Sequence, residues 1–399
     1  MKILFVAMQE SVHTARWIAQ LSQSKWDIHL FPVHNAPLHP ALRNITAYGL
    51  YSSRPEGSDA SVRMRGLLPF RRGTYRLTQA AKRFWPALSQ RAGWLARVIR
   101  RVRPDVIHSM EFQHSAYLTL EAKHILGDSF PKWVVSNWGS DIYLYRHFPE
   151  HLEKIRAVLA ECDYYHCECR RDVGLAREYG FKGEEFLVCP GGGGFDVARA
   201  MSFRQPGPTS ARRTIALKGY QNWAGRALFG LRAMRLCADT IRDGGYRVEI
   251  YLPEPESDLA IAARLLEQET GIPVLIVPKN SPHEEILKLH GRSRVSIGLS
   301  ISDAISTSAL EALMLGSFPI QSDTSCFGEW LEEESGSLVP PEDPEAIARA
   351  LRRALTDDSL VDRAAQANEL IARRRLDASG IRPLVVQAYQ RIADSLGSS

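Results

Sequence analysis

A chain of 399 residues is too long for one ordinary hydrophobic core and suits two domains of similar size. With 45% apolar and 24% charged residues, its composition is that of a globular protein and excludes a disordered or fibrous one. The net charge of +5 comes from one segment. Ser61–Arg103 holds twelve Lys or Arg and no acidic residue, and without it the chain carries −7.

The chain opens with Met1-Lys-Ile-Leu-Phe-Val-Ala7, which reads as a buried first strand and lacks the long apolar stretch and cleavage site of a signal peptide. No apolar run approaches the roughly 18–20 residues that span a bilayer. Strands are predicted at Lys2–Ala7, Asp27–Pro32, Asp105–His108, Trp133–Trp138, Asp163–Glu168 and Glu185–Pro190, with a helix over Thr14–Ser22. In the basic segment Phe70, Tyr75, Phe84, Trp85 and Trp94 are interleaved with the cations, a mixture that suits an anionic lipid surface or polyanion, or else a solvated helix face. Gly191-Gly-Gly-Gly194 reads as a turn or hinge, or a loop beside a ligand. The six cysteines form no CxxC pair, so a reducing, cytoplasmic setting is expected. Strand alternation sets Cys167 and Cys169 opposite His166, so Cys162, His166, Cys167 and Cys169 do not converge and no metal is expected.

After a Pro/Gly/Ser-rich break at Met201–Ser210 the alternation resumes. Strands are predicted at Thr214–Lys218, Arg247–Leu252, Val274–Pro278, Arg294–Leu299, Phe318–Gln321 and Ser337–Pro340. Helices are predicted at Arg226–Asp239, Leu259–Glu269, Glu284–His290, Ser308–Leu315 and Pro344–Leu355. Two βα series imply an α/β protein of two doubly wound parallel-sheet domains, with ligands at the carboxyl ends of the strands. The domains are expected at 1–203 and 211–379, with a last helix, about 380–399, packing back on the first.

The most informative stretch is Ser300–Ile320, read as strand end, polar loop, short helix, Gly stop and strand. A helix starting near Ser306, Thr307 and Ser308 would point its free N–H groups at an anion such as a pyrophosphate. Asp303 and Glu311 could accept hydrogen bonds from hydroxyls around it. Alternatively, Ser308-Ala-Leu-Glu311 is a capping box and Glu311 only closes the helix.

This stretch resembles the C-terminal signature of retaining GT-B glycosyltransferases of the GT4 family (glycosyl transferases group 1). Asp303 stands at the position of the family's first Glu, Glu311-Ala312 matches the second, and Gly316–Ile320 and Gly336–Pro344 resemble the segments that follow. Lys218 and Arg226 look like the family's two phosphate-binding cations with their identities exchanged. In the first half, Ser11–Ile18, Pro104–His108 and Val134–Asp141 resemble family segments, with Trp138 where a His is usual.

The resemblance implies the GT-B fold, two Rossmann-like domains facing each other across a cleft. It implies retaining, metal-independent transfer from a UDP- or GDP-sugar to a hydroxyl acceptor, such as a glycan or lipid-linked glycan of cell-surface polysaccharide assembly. Asp303 and Glu311 would contact sugar and ribose, and Lys218, Arg226, Ser306, Thr307 and Ser308 the phosphates. His13, Trp138 and Asp141 would lie on the acceptor side, Asp141 either binding a hydroxyl or orienting its loop; His108 and His114 reach the cleft or are structural. Trp138 cannot serve as a base, because an indole accepts no proton. The donor is a substrate, so no cofactor is expected, nor nucleic acid; the basic segment would rest on the inner face of the cytoplasmic membrane. The rival readings are a hydrolysing nucleotide-sugar 2-epimerase of the same fold and a non-catalytic polyanion-binding protein.

Overall fold

The computed structural model describes residues 1–51, 57–68, 91–254 and 258–397. It divides into two units, Met1–Gly194 with the chain from Ile381 onward, and Phe195–Gly380.

The first unit contains, in order, β1 (Lys2–Ala7), α1 (Val12–Ala19), β2 (Asp27–Pro32), β3 (Thr46–Tyr51), β4 (Arg63–Leu68), α2 (Arg91–Val102) and β5 (Val106–Met110). There follow α3 (Tyr117–Leu126), β6 (Lys132–Ser136), α4 (Pro149–Glu161), β7 (Tyr164–Cys167), α5 (Arg170–Glu178) and β8 (Glu184–Val188). All eight strands are parallel, in the order β4-β3-β2-β1-β5-β6-β7-β8. β1 lies at the centre with Ile3 to Ala7 buried, which is why it reads as an unbroken apolar run. β3 and β4 were not expected. They lie at one edge of the sheet, where β4 exposes Arg63 and Arg65 and β3 holds Thr46, Ala47 and Gly49, so neither shows the apolar run of a central strand.

Only part of the basic segment is described. Phe70, Tyr75, Phe84 and Trp85 lie outside the described residues. Its last turns form α2, which buries Ala92, Leu95, Ala96, Val98, Ile99 and Val102, and Trp94 packs edge-on against Phe31 with ring centroids 4.8 Å apart. At this end the apolar residues serve the core.

The second unit contains α6 (Val197–Met201), β9 (Thr214–Lys218), α7 (Ala227–Leu236), α8 (Ala238–Asp243), β10 (Arg247–Tyr251), α9 (Leu259–Thr270), β11 (Val274–Ile276) and α10 (His283–Arg292). These are followed by β12 (Ser293–Gly298), α11 (Thr307–Met314), β13 (Phe318–Ser322), β14 (Ser337–Val339), α12 (Pro344–Thr356) and α13 (Asp358–Arg375). Its parallel sheet has the order β11-β10-β9-β12-β13-β14. The expected single helix over Arg226–Asp239 is broken at Cys237, whose φ of −121° and ψ of 30° are not helical.

The unit begins at Phe195, ahead of the Pro/Gly/Ser break at which the sequence placed the boundary. The Phe195 amide donates to the Leu376 carbonyl at 2.8 Å, and the Gln205 amide to the Gly291 carbonyl at 3.0 Å. The break is thus a surface connection inside the second unit. The last helix, α14 (Ala378–Gly397), buries Ile381, Val385, Ala388, Tyr389 and Ile392 in the first unit's core with Ile3, Phe5 and Trp17.

Each sheet has one point where the strand order reverses, between β1 and β5 and between β9 and β12. Loops leave these strand pairs in opposite directions, which opens a crevice at their carboxyl ends.

Candidate functional site

In the second unit this crevice holds Lys218, the last residue of β9, and the loop from Leu299 to Ser306 that leads from β12 into α11. Ser306 is the N-cap of α11, but its hydroxyl does not cap its own helix; instead it accepts from Lys218 Nζ at 3.1 Å. Thr307 and Ser308 therefore present first-turn N–H groups beside an ammonium, an arrangement that favours an anion. Burial lowers the pKa of Lys218, while Asp303 and Glu311 act in the opposite direction. Lys218, Asp303, Ser306 and Glu311 thus belong to one constellation. Ser308 is buried and hydrogen-bonded to the Tyr251 hydroxyl, which makes it a support for the turn.

The capping-box alternative for Glu311 does not hold. A capping box needs its acid three residues after the N-cap, and Glu311 is five residues after Ser306. Its carboxylate is buried, with 3% of the side chain exposed, and accepts from His283 Nε2 at 2.6 Å. His283 opens α10 and was missed by the sequence reasoning, which began that helix at Glu284. Its only signal was a position just after Pro282, at a helix start.

Arg226, expected as a phosphate cation, is engaged with its own loop and Glu342. Its Nε donates to Glu342 at 2.6 Å, and its Nη1 to the carbonyls of Asn222, Trp223 and Gly225 at 3.3, 3.4 and 3.0 Å. The guanidinium fork clamps the β9–α7 loop, a geometry that a long flexible Lys could not hold. Gly225 is required there, because a Cβ would lie 2.3 Å from the Tyr220 carbonyl oxygen.

In the first unit His13 lies at the start of α1, with its ring edge-on to Trp138 at 5.6 Å between centroids. The four-glycine loop comes close to both. A Cβ on Gly191 would lie 3.6 Å from Trp138, one on Gly192 3.3 Å from His13 Nδ1, and one on Gly193 2.6 Å from Gln20 Nε2. The glycines allow a close backbone approach, in a turn that packs beside the acceptor-side candidates and ends where the first unit does.

Asp141 is a buried anchor of its own loop. Its Oδ2 accepts from the amides of Trp138 at 2.8 Å and Phe112 at 3.0 Å. Burial and the neighbouring Glu111 carboxylate raise its pKa well above the usual carboxylate range. Of the two roles left open by the sequence, the contacts fit loop orientation. Glu111 itself was missed. It follows β5 with φ at +85°, and its carboxylate accepts from the amides of His114 and Ser115 and lies 3.3 Å from His114 Nδ1. That bond raises the pKa of the half-exposed His114.

His108 is fully buried. It meets the Tyr389 hydroxyl at 2.5 Å and Ser136 Oγ at 2.7 Å, and burial lowers its pKa well below the usual histidine value. His166 lies 2.8 Å from Ser136 Oγ and 3.6 Å from Cys189 Sγ, so its ring faces away from the Cys167–Cys169 pair. All six cysteines are free and buried. Among the described residues no helix is long and apolar enough to cross a membrane.

Residues 262–370 match the family described as Glycosyl transferases group 1, a span that contains Asp303, Ser306 and Glu311. No curated protein matches the sequence. Among solved structures, sucrose-phosphate synthase from Thermosynechococcus elongatus is similar, with a TM-score of 0.69 and 16% identity over 99% of this chain and 100% of that one. HepE of Anabaena in complex with UDP-glucose has a TM-score of 0.65 and 14% identity over the whole of both chains. A glycosyltransferase from Rickettsia africae has a TM-score of 0.67 and 12% identity over 98% of each. Identities this low establish the fold alone. That fold is GT-B.

Proposed function

We propose that this GT-B protein, whose second unit carries the group 1 glycosyltransferase match, is a retaining glycosyltransferase. It moves a hexose from a UDP- or GDP-sugar to a hydroxyl of a glycan or lipid-linked glycan, as in cell-surface polysaccharide assembly. The observation that carries this reading is the Lys218–Ser306 contact at the N-terminus of α11, with the buried Glu311 carboxylate beside it. An ammonium and open helix N–H groups suit a diphosphate, and carboxylates suit the hydroxyls on either side of it. The complex of HepE with UDP-glucose supports a donor of this class.

In the reaction the acceptor oxygen bonds to C1 of the sugar on the face from which the diphosphate departs. The C1–O bond breaks, its electron pair passes to the β-phosphate, and the hydroxyl proton moves to a departing phosphate oxygen. Lys218 and the N–H groups of Thr307 and Ser308 stabilise the charge that grows there, a role that would otherwise fall to a metal. Asp303 holds a hydroxyl of the transferred sugar and Glu311 the ribose. His13 and Trp138 line the acceptor side, Asp141 keeps their loop in place, and Arg226 braces the donor unit's loop.

The basic segment 61–103 brings the enzyme to the inner face of an anionic membrane. Pelleting with phosphatidylglycerol vesicles, weakened in Arg-to-Glu variants of Arg71, Arg72 and Arg76, tests this; equal pelleting of wild type and variants counts against it.

A panel of nucleotide sugars in thermal-shift and transfer assays tests the function. Stabilisation by one of them and transfer with retained anomeric configuration are expected. Release of free nucleotide with no acceptor present would favour the epimerase. No stabilisation by any nucleotide or nucleotide sugar would refute the donor site.

A further inference from the structure

We infer that His283 is a positioning residue that pairs with Glu311 to select nucleotides with an intact ribose cis-diol. The inference rests on the donor-site reading above, and concerns how that site recognises its nucleotide.

Glu311 lies in the second turn of α11 with its carboxylate almost wholly removed from solvent. Oε1 accepts the N–H of His283 at 2.6 Å, and no described residue donates to Oε2. An ionised carboxylate has about four acceptor positions, and those of Oε2 are open to the donors of a ligand. The unfilled capacity faces donors, so it fits hydroxyl groups. It does not fit phosphate oxygens, which the carboxylate repels and which the Lys218–Ser306 end of the crevice attracts.

His283 does more than neutralise. Its side chain is 49% exposed, so the ring reaches from the surface to a buried acid. With Nε2 donating to Glu311, the rest of the imidazole stays open to a ligand. The contact also fixes the carboxylate in one rotamer, so that the free oxygen is already aimed when a diol arrives.

The neighbouring charges do not replace this function. His290, seven residues further along α10, is fully buried, with its Nδ1 on Ser296 Oγ at 2.9 Å. Burial lowers its pKa to about 4, so it is neutral near pH 7. Lys218 is engaged with Ser306. Among the described residues His283 alone hydrogen-bonds the Glu311 carboxylate.

The experiment is calorimetric binding of UDP, GDP and ADP and of their 2′-deoxy and 3′-deoxy counterparts. The proteins compared are wild type, His283→Ala, His283→Gln and Glu311→Gln. Wild type should bind the best ribonucleotide about tenfold more tightly than its deoxy forms, as expected for a lost hydrogen bond to a charged group. His283→Ala should reduce that ratio to within about twofold, and His283→Gln, which retains an N–H donor, should restore most of it. Glu311→Gln should lose the discrimination whatever occupies position 283. A ratio unchanged in His283→Ala would overturn the inference while leaving the donor site intact. If wild type binds none of the nucleotides, the donor site fails and this inference with it.

Discussion

Lys218 Nζ donates to Ser306 Oγ across 3.1 Å, joining the last residue of β9 to the N-cap of α11. The bond turns the cap hydroxyl away from its own helix. The first-turn N–H groups are thereby left to a ligand, at the point where the strand order reverses.

Removing the cation should therefore impair chemistry more than folding. Lys218→Ala is expected to lower kcat/KM by about 10²–10³-fold, the usual effect of losing one group that stabilises developing charge. Burial lowers the Lys218 pKa, so in wild type the alkaline limb of the rate profile should fall below the ordinary lysine value of 10.5. In Lys218→Arg, whose guanidinium does not titrate in this range, that limb should move upward. An identical limb in both proteins would remove Lys218 from the phosphate site.

Arg226 should behave differently. Its fork holds three carbonyls and Glu342, so Arg226→Ala is expected to lower the Tm and the transfer rate. Affinity for a nucleoside diphosphate should stay within about threefold of wild type, since the guanidinium is engaged with Glu342 and the loop carbonyls. Calorimetry on Arg226→Ala and Lys218→Ala side by side decides the matter. Equal losses of affinity would return Arg226 to the role that the resemblance assigned it.

Acid should weaken the protein through its buried histidines. Burial lowers the folded-state pKa of His108, of His166 to about 3 and of His290 to about 4, against 6.5 when unfolded. The unfolded chain thus binds more protons below pH 6.5, so stability is full above that value and declines as pH falls towards 4 and 3. His166 and His290 should each contribute a loss of roughly 1.5 kcal/mol between pH 6.5 and 5. Urea midpoints at the two pH values test this. In His166→Asn, which cannot titrate, the decline should be shallower; an equal decline excludes His166 as a source.

The Tyr389 hydroxyl serves the same network, meeting Trp17 Nε1 at 3.0 Å and His108 at 2.5 Å. Tyr389→Phe leaves both buried partners short of a bond. It should cost about 1–3 kcal/mol in urea unfolding. A change of midpoint within error would show that the hydroxyl does not hold α14 to its core.

Gly193 has φ at +73°, and a Cβ there would lie 2.6 Å from Gln20 Nε2. Gly193→Ala should destabilise by about 1–3 kcal/mol through strain and crowding. Gly174→Ala, inside α5 with open space around it, should be neutral or stabilising by up to about 1 kcal/mol. If the two substitutions gave the same midpoint, close approach would not be why this loop is rich in glycine.

Central strands could be read from the sequence because they are buried on both faces. β1, β2 and β9 fall where their apolar runs place them, and the Ser300–Ile320 stretch gave α11 to within a residue at each end. The edge strands β3 and β4 were not legible. β3 holds the small or polar Thr46, Ala47 and Gly49, and β4 exposes Arg63 and Arg65, so neither forms the apolar run of a central strand.

The candidate site divides in the same way. The sequence by itself determined that Asp303, Ser306 and Glu311 share one loop and helix start, because their spacing is local and a helix start must leave its N–H groups open. Only the tertiary structure decided that Lys218 meets Ser306, that Arg226 turns to Glu342, and that His283 holds Glu311. Those partners lie 88, 116 and 28 residues apart. Contacts at such separations are set by how strands and helices pack, which no local pattern of residues encodes.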